Sequence, residues 1–157
     1  MNRRIAPPQP FAPVDSAETA AALARGSAIA FWIWGAVGLM QAGLVWFLST
    51  PEHAELRGTT AGFAVFFSVV AFLLGRVQWR RPNRLLPGFG MVWAIYELSA
   101  LLVSLMVGAP LGAPGLPGWS FGLAGAAMIL CLLLHIGGLR GAAAMGRFAA
   151  PAPSNRA

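Results

Sequence analysis

Four long stretches of the chain are apolar and almost uncharged, and nearly every arginine lies between or outside them. They run from Gly26 to Pro51, Gly58 to Gly75, Leu85 to Ala109 and Leu111 to Leu139. Each is long enough to cross a hydrocarbon layer about 30 Å thick at about 1.5 Å per helical residue. The pattern predicts an all-α, multi-pass membrane protein. Its predicted spans cover residues at about 28–48, 60–77, 87–107 and 119–139.

The polar segments predict the domain organisation. Asp15 and Glu18 have the spacing of a capping box with Asp15 as N-cap, so we expect a helix to begin there and continue unbroken into the first span. The proline-rich start predicts a disordered cytoplasmic tail over 1–14, not a cleaved signal. The four-helix domain is expected over 15–141 and a second cytoplasmic tail over 142–157. The third connection, Gly108–Gly118, is rich in proline and glycine and is predicted to be non-helical.

The arginines predict the orientation. Ten of the eleven fall on the amino-terminal segment, the second connection and the carboxyl-terminal segment, and only Arg57 falls on the other two connections. This asymmetry places both termini in the cytoplasm and predicts an up-down bundle. Arginine without lysine, with abundant alanine, glycine and proline, is typical of a GC-rich genome, so we expect a bacterial cytoplasmic membrane.

The composition of the chain indicates which molecules it contacts. With 57% hydrophobic and 10% charged residues, the chain belongs in a lipid bilayer. Because its basic residues lie beside predicted spans, we expect them to contact anionic lipid headgroups and not nucleic acid. The predicted headgroup contacts are Arg76, Arg80, Arg81 and Arg84. The single cysteine, Cys131, excludes an intramolecular disulfide and is expected to pack as a small apolar residue.

Small side chains recur at helical spacing in every predicted span, and helices in lipid associate through such residues. The second span carries Ala61, Ala64, Ser68, Ala71 and Gly75, and the third carries Gly90, Trp93, Glu97, Ala100, Ser104 and Gly108. The first offers Gly35, Gly38 and Ala42, with Gln41 beside them. The fourth offers either Gly118, Gly122 and Ala126, or Ala124, Ala127, Cys131, His135 and Gly138. We expect these stripes to face inward.

Glu97 is the one acid within a predicted span, and it lies near the middle. An ionised carboxylate there costs at least about 2.5–3.5 kcal/mol, so it should face protein or water, or be protonated. Gln41 is expected about 4–5 Å farther toward the outer side, and His135 roughly 9 Å toward the cytoplasm, by helical rise. Ser68 is expected near the same midplane, and Tyr96 is adjacent in sequence. These five residues form the predicted intramembrane polar site.

Three roles for Glu97 stay open. As a structural residue it would be a protonated acid that shares hydrogen bonds with Gln41 and Ser68. It would alternatively make a polar contact with a partner subunit or a cofactor. The third role is a proton- or cation-handling site in a small transporter, with His135 as an inner relay.

The remaining motifs do not indicate catalysis or a cofactor. The sequence contains no nucleophile–base, zinc-protease or nucleotide-binding motif, so we expect no enzymatic activity. Glu52, His53 and Glu55 are better explained as a solvated outer loop than as a metal site. A bis-histidine haem would need His53 and His135 on opposite sides of the membrane, so we expect none. His135 itself is expected at the cytoplasmic membrane interface.

These observations favour a non-enzymatic accessory, assembly or scaffold subunit of a membrane complex. Its apolar faces would contact other membrane proteins or further copies of the chain. The alternative is a small proton- or cation-coupled transporter centred on Glu97.

Overall fold

The chain folds into four long α-helices. The computed structural model describes residues 10–11, 13–48, 54–108 and 116–149, with only the backbone described at residues 54, 55 and 149. The helices are α1 (Ala17–Leu48), α2 (Ala54–Arg80), α3 (Leu85–Val107) and α4 (Gly118–Ala149). All four are long and apolar enough to span a membrane, which confirms the predicted all-α, multi-pass bundle.

Some predictions lie outside the described residues. These are the disorder of residues 1–9, the tail over 150–157, the loop residues Glu52 and His53 with the side chain of Glu55, and most of the third connection. Four residues of the predicted amino-terminal tail are described, at positions 10, 11, 13 and 14, and Pro10 lies on α4. Arg140 Nη1 donates a hydrogen bond of 2.6 Å to the Pro10 carbonyl oxygen. Gly137 leaves the space that Pro10 occupies, because a Cβ there would lie 3.0 Å from Pro10 Cα.

The first helix begins one residue later than predicted. The Thr19 amide donates to Ser16 Oγ at 3.1 Å, so Ser16 is the N-cap and Thr19 the N3 residue. The predicted Asp15 cap is therefore wrong. Asp15 instead accepts a longer 3.4 Å bond from the Thr19 hydroxyl. Serine and aspartate are comparable N-caps, so two neighbouring candidates cannot be ranked from local sequence alone.

α1 lies at the centre of the bundle, packed along its length on α2 on one side and on α4 on the other. Both neighbours run antiparallel to it, and α3 packs antiparallel on α4 with little contact to α1. α2 has no extensive contact with α3 in the described part of the chain. The two helices meet through the rings of Phe67 and Trp93, whose centroids lie 6.1 Å apart.

The interface between α1 and α2 is built from small residues, as their spacing predicts. Gly38 lies against Ser68 and Ala64, and Gly35 lies against Phe72 and the Ser68 carbonyl. The predicted stripe of α2 is buried or half-buried throughout: Ala61, Ala64, Ser68, Ala71 and Gly75. Absent or single-carbon side chains allow the two backbones to approach closely, which favours helix association in lipid.

α4 presents its second candidate stripe to the bundle. Ala127, Cys131, His135 and Gly138 are buried, whereas Gly118, Gly122 and Ala126 are exposed. The helix also extends past its predicted span, through Ala149. In its added turns Ala142 and Ala144 are buried, and Gly141 lies against Ala20, Leu23 and Ala24 at the beginning of α1. Alanine favours the helical conformation, and the predicted tail is therefore helical as far as Ala149.

α3 is the least buried helix. Its buried residues, Pro87, Gly90 and Ala94, all lie in its first half. The predicted stripe is only half-buried beyond this point, at Glu97 and Ser104, and Ala100 is exposed. Gly108 does not pack at all: it ends the helix with φ 63°, a left-handed conformation that glycine adopts without strain.

We expect Gly141→Ala to lower the free energy of unfolding by about 1–3 kcal/mol, because overpacking forces the backbone to shift. A Cβ at this position would lie 2.5 Å from the Ala20 carbonyl oxygen and 2.6 Å from the Ala24 nitrogen. The control is Gly122→Ala on the same helix, where a Cβ meets nothing within 4 Å. Detergent-denaturation curves followed by circular dichroism measure both variants. Equal destabilisation of the two variants would contradict the assigned interface.

Candidate functional site

A cavity of about 240 Å³ lies between α1, α3 and α4, in the half of the bundle where α3 is least packed. We refer to it as the polar cavity. It is lined by Gln41, Glu97, Leu98, Ala100, Leu101, Ser104, Phe121, Ala124, Gly125 and Met128. Three of these side chains are polar, and Glu97 is the one that can carry a charge. The cavity lies beside the second half of α3. The first half of this helix packs tightly through Pro87, Gly90 and Ala94, whereas no residue beyond Ala94 is buried.

The structure brings Glu97 and Gln41 to this cavity, as the helical-rise estimate predicts. Both side chains are half-buried. Within the described part of the chain, no hydrogen bond or ion pair engages either of them. The carboxyl group therefore faces an open volume near the middle of α3, with an amide from α1 and the Ser104 hydroxyl on the same walls.

Ser68 is not part of this site. Its hydroxyl donates a 2.7 Å hydrogen bond to the Ala64 carbonyl oxygen of its own helix. Its side chain packs against Gly38, on the face of α2 that contacts α1. A serine inside a helix can satisfy its hydroxyl by bonding back to the preceding turn, and it then needs no acid. The predicted hydrogen bond between Ser68 and Glu97 is absent from the described residues.

Tyr96 also points away from the cavity. Its side chain is 62% exposed on the outer surface of α3. Its ring packs beside Trp93, with centroids 5.8 Å apart. Neighbours in sequence lie about 100° apart around a helix, so Tyr96 and Glu97 face different surroundings.

His135 occupies the interior of the bundle and not the membrane interface, so that expectation is wrong. The side chain is 2% exposed, and its Nδ1 forms a 2.7 Å hydrogen bond with Ser27 Oγ. Phe31 contacts the ring edge-on, with centroids 4.8 Å apart. Gly90 of α3 leaves the room for the imidazole, because a Cβ there would overlap it. His135 does not line the polar cavity.

Of the four arginines predicted at lipid headgroups, Arg84 has a contact within the protein. Its Nη2 donates to the Ala143 carbonyl oxygen at 3.0 Å, and its Nε donates to that of Ala142 at 3.4 Å. It thereby ties the start of α3 to α4. Arg76, Arg80 and Arg81 are exposed near the same end of the bundle. We call this the arginine-rich end, and it comprises Arg25, Arg76, Arg80, Arg81, Arg84, Arg140 and Arg147.

A second buried polar cluster escaped the sequence analysis. Gln78 is fully buried, and its Nε2 donates to the carbonyl oxygens of Ala24, at 3.1 Å, and Asn83, at 3.3 Å. Its Oε1 accepts the Asn83 amide at 3.2 Å, and Asn83 Oδ1 caps α3 by accepting the Leu86 amide at 2.9 Å. The sequence did contain a pattern that indicates this cluster, because Gln78 lies three residues after Gly75 and continues the small-residue stripe of α2. This cluster holds the α2–α3 turn against α1.

Trp93 is the centre of an aromatic cluster. Its ring lies 5.4 Å from that of Trp34 and 6.2 Å from that of Phe89, in addition to Phe67 and Tyr96. Its Nε1 is buried without a hydrogen-bond partner in the described structure. The cluster fills the space between α2 and α3, where the helices themselves do not pack.

These features define a multi-pass α-helical membrane protein with an acid-lined cavity halfway along one span. Comparison with family models, curated proteins and solved structures finds no match to this chain.

We expect Ser27→Ala to lower the free energy of unfolding by about 1–3 kcal/mol, because it leaves a ring nitrogen of buried His135 without a partner. Ser99→Ala is the matched control, since Ser99 is exposed on α3. Detergent denaturation of each variant against the wild type checks this expectation. If the two serines prove equally dispensable, the Ser27–His135 hydrogen bond does not stabilise the bundle.

Proposed function

We propose that the protein is a non-enzymatic subunit of a membrane complex and that the outer face of α3 docks on a transmembrane helix of another protein. The observation that carries this proposal is the presence of uncovered polar side chains at the middle of α3. Tyr96 is 62% exposed and Ser99 is exposed, and neither has a hydrogen bond within the described residues. Lipid tails offer no hydrogen-bond partner, whereas a neighbouring helix can supply one.

The same face has the spacing of a helix–helix contact. Exposed residues recur at alternating steps of four and three: Val92, Tyr96, Ser99, Val103 and Met106. We call this set the outer seam. A period of 3.5 residues keeps a seam turned toward a partner helix over several turns. By contrast, the exposed middle of α2 is apolar at Phe66, Val69 and Leu73, which is typical of a lipid-facing surface.

The orientation of the subunit follows from its charges. The arginine-rich end would face the cytoplasm of a bacterium, with Arg76, Arg80 and Arg81 at anionic headgroups. These three side chains are exposed and lie at or just beyond the end of α2, which supports this placement.

Photo-crosslinking from the outer seam tests the proposed docking. With benzoylphenylalanine in place of Ser99 or Val103, we expect both positions to give one adduct of the same mass in the native membrane. Positions Val69 and Leu73 on α2 are the exposed controls and should give no such adduct. The double substitution Tyr96→Leu and Ser99→Leu should reduce the adduct formed from Val103 at least threefold, because it removes the polar contacts.

Three outcomes contradict the proposal. An adduct of twice the chain's own mass would mean that the seam joins two copies. Equal adducts from α2 and α3, or an adduct insensitive to the loss of Tyr96 and Ser99, would mean that the seam is an ordinary lipid-facing surface.

A second candidate function, a small proton- or cation-coupled transporter, is supported by the polar cavity. An acid that faces an open volume within the membrane is a common element of ion and substrate pathways. His135 is hydrogen-bonded to Ser27 and lies away from the cavity, which argues against its role as an inner proton relay.

If the protein is a transporter, we expect Glu97→Gln to abolish proton-coupled uptake of the transported solute into proteoliposomes without unfolding the protein. The reason is that an amide at position 97 cannot bind and release a proton as a carboxyl group does. Gln41→Leu, which removes a wall group but no ionisable group, should change the rate without removing the coupling to protons. A Glu97→Gln variant that sustains full pH-driven uptake would exclude this mechanism.

A further inference from the structure

We propose that the polar cavity binds a small organic monocation, a protonated amine with a compact apolar body, with the Glu97 carboxylate as its counter-ion. This inference goes beyond the proposed docking of α3. The cavity lies on the side of α3 that faces α1 and α4, whereas the outer seam lies on the opposite side.

Charge points to a cation. Glu97 is half-buried near the middle of its span and has no ion-pair partner among the described residues. The lining contains no arginine, lysine or histidine that would neutralise it. A bound cation lets the carboxylate remain ionised at this depth, since an unpaired charge within the membrane is unfavourable.

The polar groups match an ammonium. A primary ammonium carries three donors and no acceptor. The cavity walls carry the Glu97 carboxylate, the Gln41 amide oxygen and the Ser104 hydroxyl, all of which can accept hydrogen bonds. Glu97 and Gln41 come from two helices, α3 and α1, whereas Ser104 lies about 10 Å from Glu97 at the helical rise and lines the other end of the cavity.

The rest of the wall favours an organic cation over a metal ion. Leu98, Leu101, Phe121 and Met128 make much of the lining apolar. Hard divalent cations require about six or more oxygen ligands, and no group of three or more acidic, histidine or cysteine side chains occurs in the described part of the chain. Apolar walls with a few convergent polar groups are the usual composition of small-molecule sites.

The volume of the polar cavity and its position relative to the helix ends limit the size of the ligand that it can bind. At about 240 Å³ the cavity is smaller than sites for drug-sized molecules, which hold roughly 300–1,000 Å³. It extends from Glu97 and Met128 to Ser104 and Phe121, about 10 Å at the helical rise. Ser104 and Phe121 lie within about one turn of the helix ends at Val107 and Gly118. The cavity therefore extends from Glu97 toward the ends of α3 and α4 that lie opposite the arginine-rich end.

Calorimetric titration of the full-length protein in neutral-lipid nanodiscs tests this proposal. The probe is benzylammonium chloride, and benzyl alcohol has the same apolar body without the charge. We expect saturable binding of one benzylammonium per chain and at least tenfold weaker binding of the alcohol. Glu97→Gln should weaken benzylammonium binding at least tenfold, while Leu102→Ala, at an exposed position of α3 outside the cavity and the outer seam, should leave it unchanged.

A second pair of variants separates loss of the site from loss of the fold. Ala124→Leu fills the cavity and keeps Glu97, so it should weaken binding at least fivefold. Ala126→Leu adds the same side chain at an exposed position of α4 and should have no effect. Circular dichroism and gel filtration of all variants must match the wild type.

The proposal is overturned if the wild type binds no benzylammonium or binds the alcohol equally well. It is also overturned if Glu97→Gln and Ala124→Leu, both correctly folded, bind like the wild type. Millimolar sodium or potassium chloride that displaces the amine completely would assign the cavity to an inorganic cation instead. Because the readout is binding alone, failure of the docking or transport proposals leaves these outcomes unaffected.

Discussion

Close approach of helix backbones is the constraint on which the rest of this structure depends. Lipid tails are as apolar as leucine, so burial of large side chains gives little drive to assemble spans, and close packing must supply it. α1 meets this requirement on two sides at once. It places Gly35 and Gly38 against α2 and accepts Gly138 and Gly141 of α4 against Ser27 and Ala20. The buried polar contacts, from Ser27 to His135 and from Gln78 to Ala24, exist because these backbones are close.

The two halves of α3 differ in how tightly they pack, and this difference leaves room for the polar cavity and leaves the outer seam exposed. α3 is held at its start by the Asn83 cap, by Arg84 on the α4 carbonyls and by Gly90 under His135. Beyond Ala94 it has no buried residue. The polar cavity therefore opens on one side of its second half, and exposed Tyr96 and Ser99 lie on the other. A helix fixed at one end and loosely packed at the other is suited to contact additional molecules.

Hydrogen bonding divides the polar residues of the membrane domain into two classes. Ser68, Gln78 and His135 are buried and have partners within the chain, so structure alone explains them. Glu97, Gln41, Tyr96 and Ser99 have no partner among the described residues and face a cavity or the outer surface. Since an uncompensated polar group in hydrocarbon is unfavourable, these four residues, together with Ser104 in the cavity wall, carry the functional proposals.

Local pattern in the sequence determined the four spans, the inward stripe of α2 and the proximity in depth of Gln41 and Glu97, which line one cavity. Each of these depends on hydrophobicity or helical rise along individual helices. Extending the α2 stripe by one step would also have found Gln78. Tertiary structure alone decided which stripe of α4 is buried, that Ser68 bonds to its own helix, that His135 is interior and that Tyr96 faces outward. These outcomes depend on which neighbour each helix face meets. The rotation of α3 and α4 about their axes is set by contacts such as Gly90 with His135, between residues far apart in the chain.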